Sequence, residues 1–198
     1  MLQLGSLTLF MKKFEESLYF YQMNYLNCPD TTTRTKSLYY IAYNFSNLTK
    51  PDSAMYYIDK CLNLDNSYVG AFILKADIYA SMKSNDTATV FFKEAIAKGK
   101  ADTSKYSREL NQAYIKLCGL LINDKNFKEM NKVAKEWTEF DDKNEYAWLY
   151  LAVSYQGTSD IENAKKFYKK VLQINPKNKT ASEMLKKLEA AAPAGDQK

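Results

Sequence analysis

The chain of 198 residues contains no histidine. That absence removes the side chain that titrates near neutral pH, the Ser-His-Asp and Cys-His nucleophilic pairs, and imidazole as a metal ligand. Glycine and proline are scarce, at 6 and 4 residues, where average usage gives about 14 and 10. Turn-rich β architecture and flexible linkers are disfavoured on that count, and long stretches of helix are favoured. Cysteine is limited to Cys28, Cys61 and Cys118, an odd set without a CxxC pair, which suits a reducing compartment such as the cytoplasm. A periplasmic location stays open for a chain preceded by an export segment. No apolar run approaches the roughly 18 to 20 residues of a membrane span. The apolar opening MLQLGSLTLFM is followed, not preceded, by Lys12 and Lys13, the wrong order for a signal peptide.

What is present is aromatic and helical in pattern. The composition is 46% apolar, with 16 Tyr and 10 Phe, enough to bury a core. The net charge of +5 is too small and too mixed in sign to indicate nucleic acid. From Glu145 to Asn178 apolar and small residues fall at spacings that place Trp148, Leu151, Ala152 and Tyr155 on one helix stripe, and Ala164, Tyr168 and Val171 on the facing stripe of a second helix. Pro176 follows as a breaker. The pattern returns 34 residues earlier in Tyr114, Leu117, Cys118, Leu121, Met130, Ala134 and Trp137. Beyond an eight-residue insertion, Thr103 to Leu110, it returns twice more, in Phe72, Ala76, Tyr79, Ala88, Phe92 and Ala95, then in Leu38, Ile41, Ala42, Phe45, Ala54, Ile58 and Cys61.

Spacing and residue types together resemble the tetratricopeptide repeat (TPR). The resemblance implies an all-α fold, an α-solenoid forming a right-handed superhelix of helix-turn-helix repeats with about eleven helices. The expected array covers residues 1 to 192. It comprises a truncated repeat at about 1–31, repeats at 35–68, 69–102, 111–144 and 145–178, and a capping helix at 180–192 that covers the last apolar face. Residues 193–198 are expected to form a flexible tail. Lys75 stands where a leucine is usual, and Leu74 is expected to fill that space. Helix starts are expected at Thr49 with Pro51, at a capping box Ser159 to Glu162, and at another from Thr180 to Glu183. The insertion lacks Gly and Pro, so it is expected to lengthen a helix from near Thr103.

No residue set carries catalysis. The carboxylates are scattered among lysines at helical spacing, as solvated ion pairs are. Gly99-Lys100 resembles the end of a phosphate loop, but the glycine that GxxxxGK requires is Glu94. Cys61 and Cys118 occupy repeat positions that take small buried residues and read as core thiols. The lysines from Lys165 to Lys187 form the densest basic region, on second helices that face the convex side in such arrays. The expectation is no enzyme activity, no cofactor, no metal and no nucleic acid.

In proteins of this resemblance the first helices line a concave groove that takes a peptide or amphipathic helix of a partner protein. The positions concerned are Lys36, Tyr39, Tyr40 and Tyr43 in the second repeat, and Ile73 and Asp77 in the third. They are Gln112, Ile115 and Lys116 in the fourth, and Tyr146, Leu149, Tyr150 and Val153 in the fifth. Tyrosines and aliphatics there replace the lysines, arginines and asparagines with which chaperone-binding relatives hold terminal carboxylates. The expected role is a protein-interaction scaffold or adaptor. The alternatives are the TPR portion of a larger sensor, regulator or envelope-assembly protein, or a module that associates with itself.

Overall fold

In the computed structural model, residues 1–190 are described. Eleven helices occupy them, and no strand is present among the described residues. In order they are α1 (Leu2–Phe10), α2 (Phe14–Asn27), α3 (Thr31–Asn47), α4 (Pro51–Leu64), α5 (Val69–Ser81), α6 (Asn85–Lys100), α7 (Thr103–Asn123), α8 (Phe127–Phe140), α9 (Glu145–Gly157), α10 (Ile161–Ile174) and α11 (Lys179–Ala190). The chain forms two compact units, Met1–Ala113 and Tyr114–Lys198. The expected tail at 193–198 and the last two residues of the expected cap lie outside the described residues.

The first unit stacks helices in sequence order, α1 on α2, α2 on α3, α3 on α4, α4 on α5 and α5 on α6, and α3 also touches α5. Leu38, Ala42, Ala54, Ile58, Cys61, Ala71, Leu74 and Ile78 make one buried cluster in it. Leu74 is buried in this cluster with residues of α3 and α4, and the Lys75 position is occupied by the lysine's own stem. The Lys75 ammonium lies 2.8 Å from Asp59 and 4.9 Å from the Phe91 ring centroid, so its stem covers apolar surface while its charge is met.

In the second unit α8 packs on α9, α9 on α10 and α10 on α11. Ala152, Ala164, Tyr168, Val171 and Ala181 form a core there, with Met184, Leu185 and Leu188 of α11 laid against it. Trp137 is fully buried, stacked 5.5 Å from Tyr114. Two glycines in this unit differ in their surroundings. A Cβ on Gly157 would overlap the Phe127 ring, whereas one on Gly119 would meet nothing within 4 Å.

The turns inside the helix hairpins share one geometry. Lys12, Thr49, Lys83, Lys125 and Ser159 have φ between 53° and 64°. Each donates its N–H to the carbonyl three residues back, and the next residue donates to the carbonyl five back, as in Lys83 to Ala80 and Ser84 to Tyr79. This is the Schellman closure, which satisfies the last carbonyls of one helix with a left-handed residue. Because Thr49 and Ser159 are consumed by the turn, neither caps the following helix. Lys50 precedes Pro51 without a side-chain cap, and the cap of α10 is Asp160, which accepts from the Asn163 N–H. The expected cap at Thr180 is likewise displaced, since Asn178 accepts from the Ala181 N–H at 2.9 Å.

The insertion is helical from Thr103, but Tyr106 (φ −112°, ψ 17°) breaks the helix. A single turn therefore precedes the continuous part of α7, in place of an uninterrupted extension.

The left-handed conformation costs a non-glycine residue about 1 kcal/mol, and glycine adopts it freely. Lys83→Gly and Lys125→Gly are each expected to raise the free energy of unfolding by about 1 kcal/mol in urea titrations; a decrease would show that these side chains make contacts that outweigh the backbone strain.

Candidate partner-binding site

The first unit carries a row of aromatic rings built by α3 and its neighbours. Tyr40 stacks on Tyr21 of α2 at 4.7 Å and 16°. Tyr39 meets Tyr40 edge-on at 5.0 Å, Tyr43 at 6.4 Å and Tyr68 at 5.3 Å. The spacing 36, 39, 40, 43 is one face of a helix, so α3 presents these residues together by its own geometry. Gly70 makes room for two of the rings: a Cβ there would lie 3.2 Å from Tyr68 and 3.4 Å from Tyr39.

Two depressions open on either side of this row. The first, of about 410 Å³, has Tyr39, Tyr40, Tyr68 and Ile73 as its floor, with Lys36 on the α3 side. Its other wall comes from the start of α7, in Lys105, Tyr106, Arg108, Glu109 and Gln112. The second, of about 550 Å³, is bounded by Leu9, Phe10, Lys12 and Phe14 around the first hairpin turn, and by Tyr39, Tyr40, Tyr43 and Arg108. A close approach positions the α7 wall. A Cβ on Gly99 of α6 would fall 2.8 Å from Leu110, and Leu110 is fully buried, so glycine at 99 lets α7 lie directly on α6.

The sequence-derived residues divide between the two units. Lys36, Tyr39, Tyr40, Ile73 and Gln112 line the first depression, Tyr39, Tyr40 and Tyr43 the second, and Asp77 lines neither. Ile73 is 4% exposed, so it contributes floor and not rim. In the second unit Tyr146 and Ile115 are exposed and Lys116 is half-buried. Leu149 and Val153 pack against the α9–α10 core, and Tyr150 lies 6.0 Å from Trp137. Apart from Gln112, repeat positions did not reach the α7 wall, nor Tyr68 and the first hairpin turn. Part of the α7 wall had a readable signal: residues 108, 109 and 112 share one helix face across the end of the insertion.

In the basic C-terminal region Lys165 pairs with Glu162 at 3.3 Å, Lys169 approaches Glu189 at 3.8 Å, and Lys166 and Lys170 lie over the Phe167 and Trp148 rings. Among the described residues no cluster of acidic and thiol side chains is arranged to hold a metal ion, and no helix is long and apolar enough to cross a membrane.

The hairpin stacks place the chain in the α-solenoid class of helical-repeat proteins. It carries a tetratricopeptide repeat, matched by the family model over residues 146–178, and has the fold of TPR arrays. No curated protein sequence matches it. Among solved structures it is similar to MamA (TM-score 0.66, 16% identity, covering 89% of this chain and 90% of that one). It is similar to BtubC from P. vanneervenii (TM-score 0.70, 12% identity, 87% and 77%) and to the Arabidopsis OM64 TPR domain (TM-score 0.51, 20% identity, 62% and 95%). At these identities the likeness is one of fold, and that fold supports a protein-interaction scaffold in general.

Burial keeps several phenols and thiols neutral. Desolvation raises the Tyr39 and Tyr68 hydroxyls well above the ordinary tyrosine range, and neighbouring tyrosines and Glu109 add to the effect. Desolvation also pushes Cys61, Cys118 and Tyr168 up to about 12. Each group holds its proton more tightly folded than unfolded. Its contribution to stability is therefore complete below the unfolded pKa, about 8.5 for a thiol and about 10 for a phenol, and is lost above it. The thermal midpoint is expected to fall steeply as pH rises from about 9 to 12, and Tyr168→Phe to flatten the upper part of that fall; an unchanged midpoint across this range would show that these groups titrate freely in the folded chain.

Proposed function

We propose that the protein is a scaffold without catalytic activity of its own that holds a peptide or amphipathic helix of another protein on the tyrosine row of its first unit. The observation that carries this reading is the joining of two open depressions by a contiguous aromatic surface on α3, with Tyr43 36% exposed. Each aromatic or aliphatic anchor seated there would contribute on the order of 1.5 to 3 kcal/mol. Rings already packed on one another lose little conformational freedom on binding, which favours affinity.

Self-association is the second reading, and α1 favours it. Leu4, Leu7, Phe10 and Met11 are 47%, 55%, 88% and 55% exposed and recur at helical spacing, so α1 and its C-cap present an apolar face left largely open among the described residues.

The two readings separate by experiment. Tyr43→Ala combined with Lys36→Ala and Gln112→Ala is expected to keep the helical circular dichroism and to lower recovery of co-purifying proteins from the native cell at least tenfold; undiminished recovery would overturn the groove reading. Leu7→Ser, at an exposed α1 position outside both depressions, is expected to leave that recovery intact. If it converts a dimer to a monomer in analytical ultracentrifugation, the self-association reading stands, and a wild-type chain that is monomeric throughout would remove it.

A further inference from the structure

Arg108 borders both depressions of the first unit. It is exposed, and its side chain has no hydrogen bond, ion pair or ring contact among the described residues. We propose that Arg108, carried by the insertion at the start of α7, sets the specificity of the tyrosine surface by selecting a partner segment with a carboxylate between two apolar or aromatic anchors. The inference rests on the reading of that surface as a docking site.

Charge complementarity supports it. The lining of the second depression holds two cations, Arg108 and Lys12, and no carboxylate. The first has two carboxylates in its lining. Asp65 is engaged by the Ser67 N–H at 2.9 Å and the Ser67 hydroxyl at 2.6 Å. Glu109 is adjacent to Arg108 in sequence, and successive residues of a helix do not face one another. Its electrostatic neighbours are Tyr39 and Tyr68. The cationic side of the junction is therefore left without a counter-ion from the protein.

The position matters as much as the charge. A segment seated with one anchor among Leu9, Phe10 and Phe14 and another over Tyr39 and Ile73 must cross the ring row beside Arg108. A guanidinium presents a planar fork that takes a carboxylate through two parallel N–H···O bonds. A neutral segment crossing there would desolvate the cation without replacing its water hydrogen bonds, which penalises it. The backing is firm, because Leu110, two residues on, is fully buried against Gly99. The fork is thus held on a packed helix and not on a free loop.

The test uses the full-length chain and a bead-displayed library of short peptides drawn from Asp, Asn, Lys, Gln, Phe, Leu, Ser and Gly, followed by fluorescence anisotropy on selected peptides and their Asn-for-Asp counterparts. The expected result is enrichment of Asp flanked on both sides by Phe or Leu, with about tenfold tighter binding than the Asn counterpart. In Arg108→Gln the Asp preference should disappear while the Phe and Leu preference persists. Enrichment of Phe and Leu with equal binding of Asp and Asn peptides by the wild type would overturn the role of Arg108 and leave the docking site standing, as would an Asp preference unchanged in Arg108→Gln. If no enriched peptide loses affinity on Tyr43→Ala, the docking site and the inference fall together.

Discussion

The two helices of each hairpin cross so closely that only small residues fit at most of the crossings, and the rest of the fold follows from that approach. Ala42 and Ala54, Ala76 and Ala88, and Ala152 and Ala164 are all fully buried. In the first hairpin a buried glycine and a buried serine serve, with the Ser17 hydroxyl donating to the Gly5 carbonyl at 3.0 Å. Cys118 and Met130 take these places in the fourth hairpin, also without exposure. Close approach brings the large residues of both stripes into contact and fixes how short the connecting turn must be. A turn that short requires a residue in the left-handed region. The chain meets that requirement with lysine, threonine and serine, not glycine, so packing enforces a backbone conformation that the local sequence disfavours.

Polar pairs between neighbouring hairpins add register to this packing. The Asn44 amide donates to Ser17 at 3.1 Å and to the Tyr40 carbonyl at 2.8 Å, and Asn131 donates to Ser154 at 2.9 Å. Such a bond satisfies buried groups in one stacking register and strands them in another. Asn44 retains an unsatisfied carbonyl oxygen, so the pairing serves placement more than stability.

The helices, their order and the small-residue crossings were legible because they depend on period, and a 34-residue period survives substitutions such as Lys75 for leucine. The turn chemistry was less legible. Thr49 and Ser159 have the side chains of helix caps, yet tertiary closure drew them into the left-handed position and passed capping to Asp160 or to none. The tyrosine face of α3 could be read from the sequence, since four residues at helical spacing share a face wherever the helix lies. The α7 wall was legible only in part: Gln112 falls on a repeat position, whereas Lys105, Tyr106, Arg108 and Glu109 fall in the insertion, outside the repeat numbering, and the break at Tyr106 interrupts the helix that carries them. The partial burial of Leu149 and Val153 was hidden as well, because repeat position does not show how far a side chain leans on its own hairpin's core.

The sequential stacking also governs how the chain reaches this state. In each unit the contacts run mainly between helices adjacent in the chain, so little loop entropy must be lost before a contact forms, and topologies of this kind fold fast. During synthesis each hairpin can dock on the one already made as soon as it leaves the ribosome, without waiting for distant sequence. A lone hairpin covers only the facing stripes of its two helices, and its outer apolar residues are buried only on docking, so an undocked hairpin tends to open again. Assembly thus proceeds like a zipper that holds only where the previous tooth has closed.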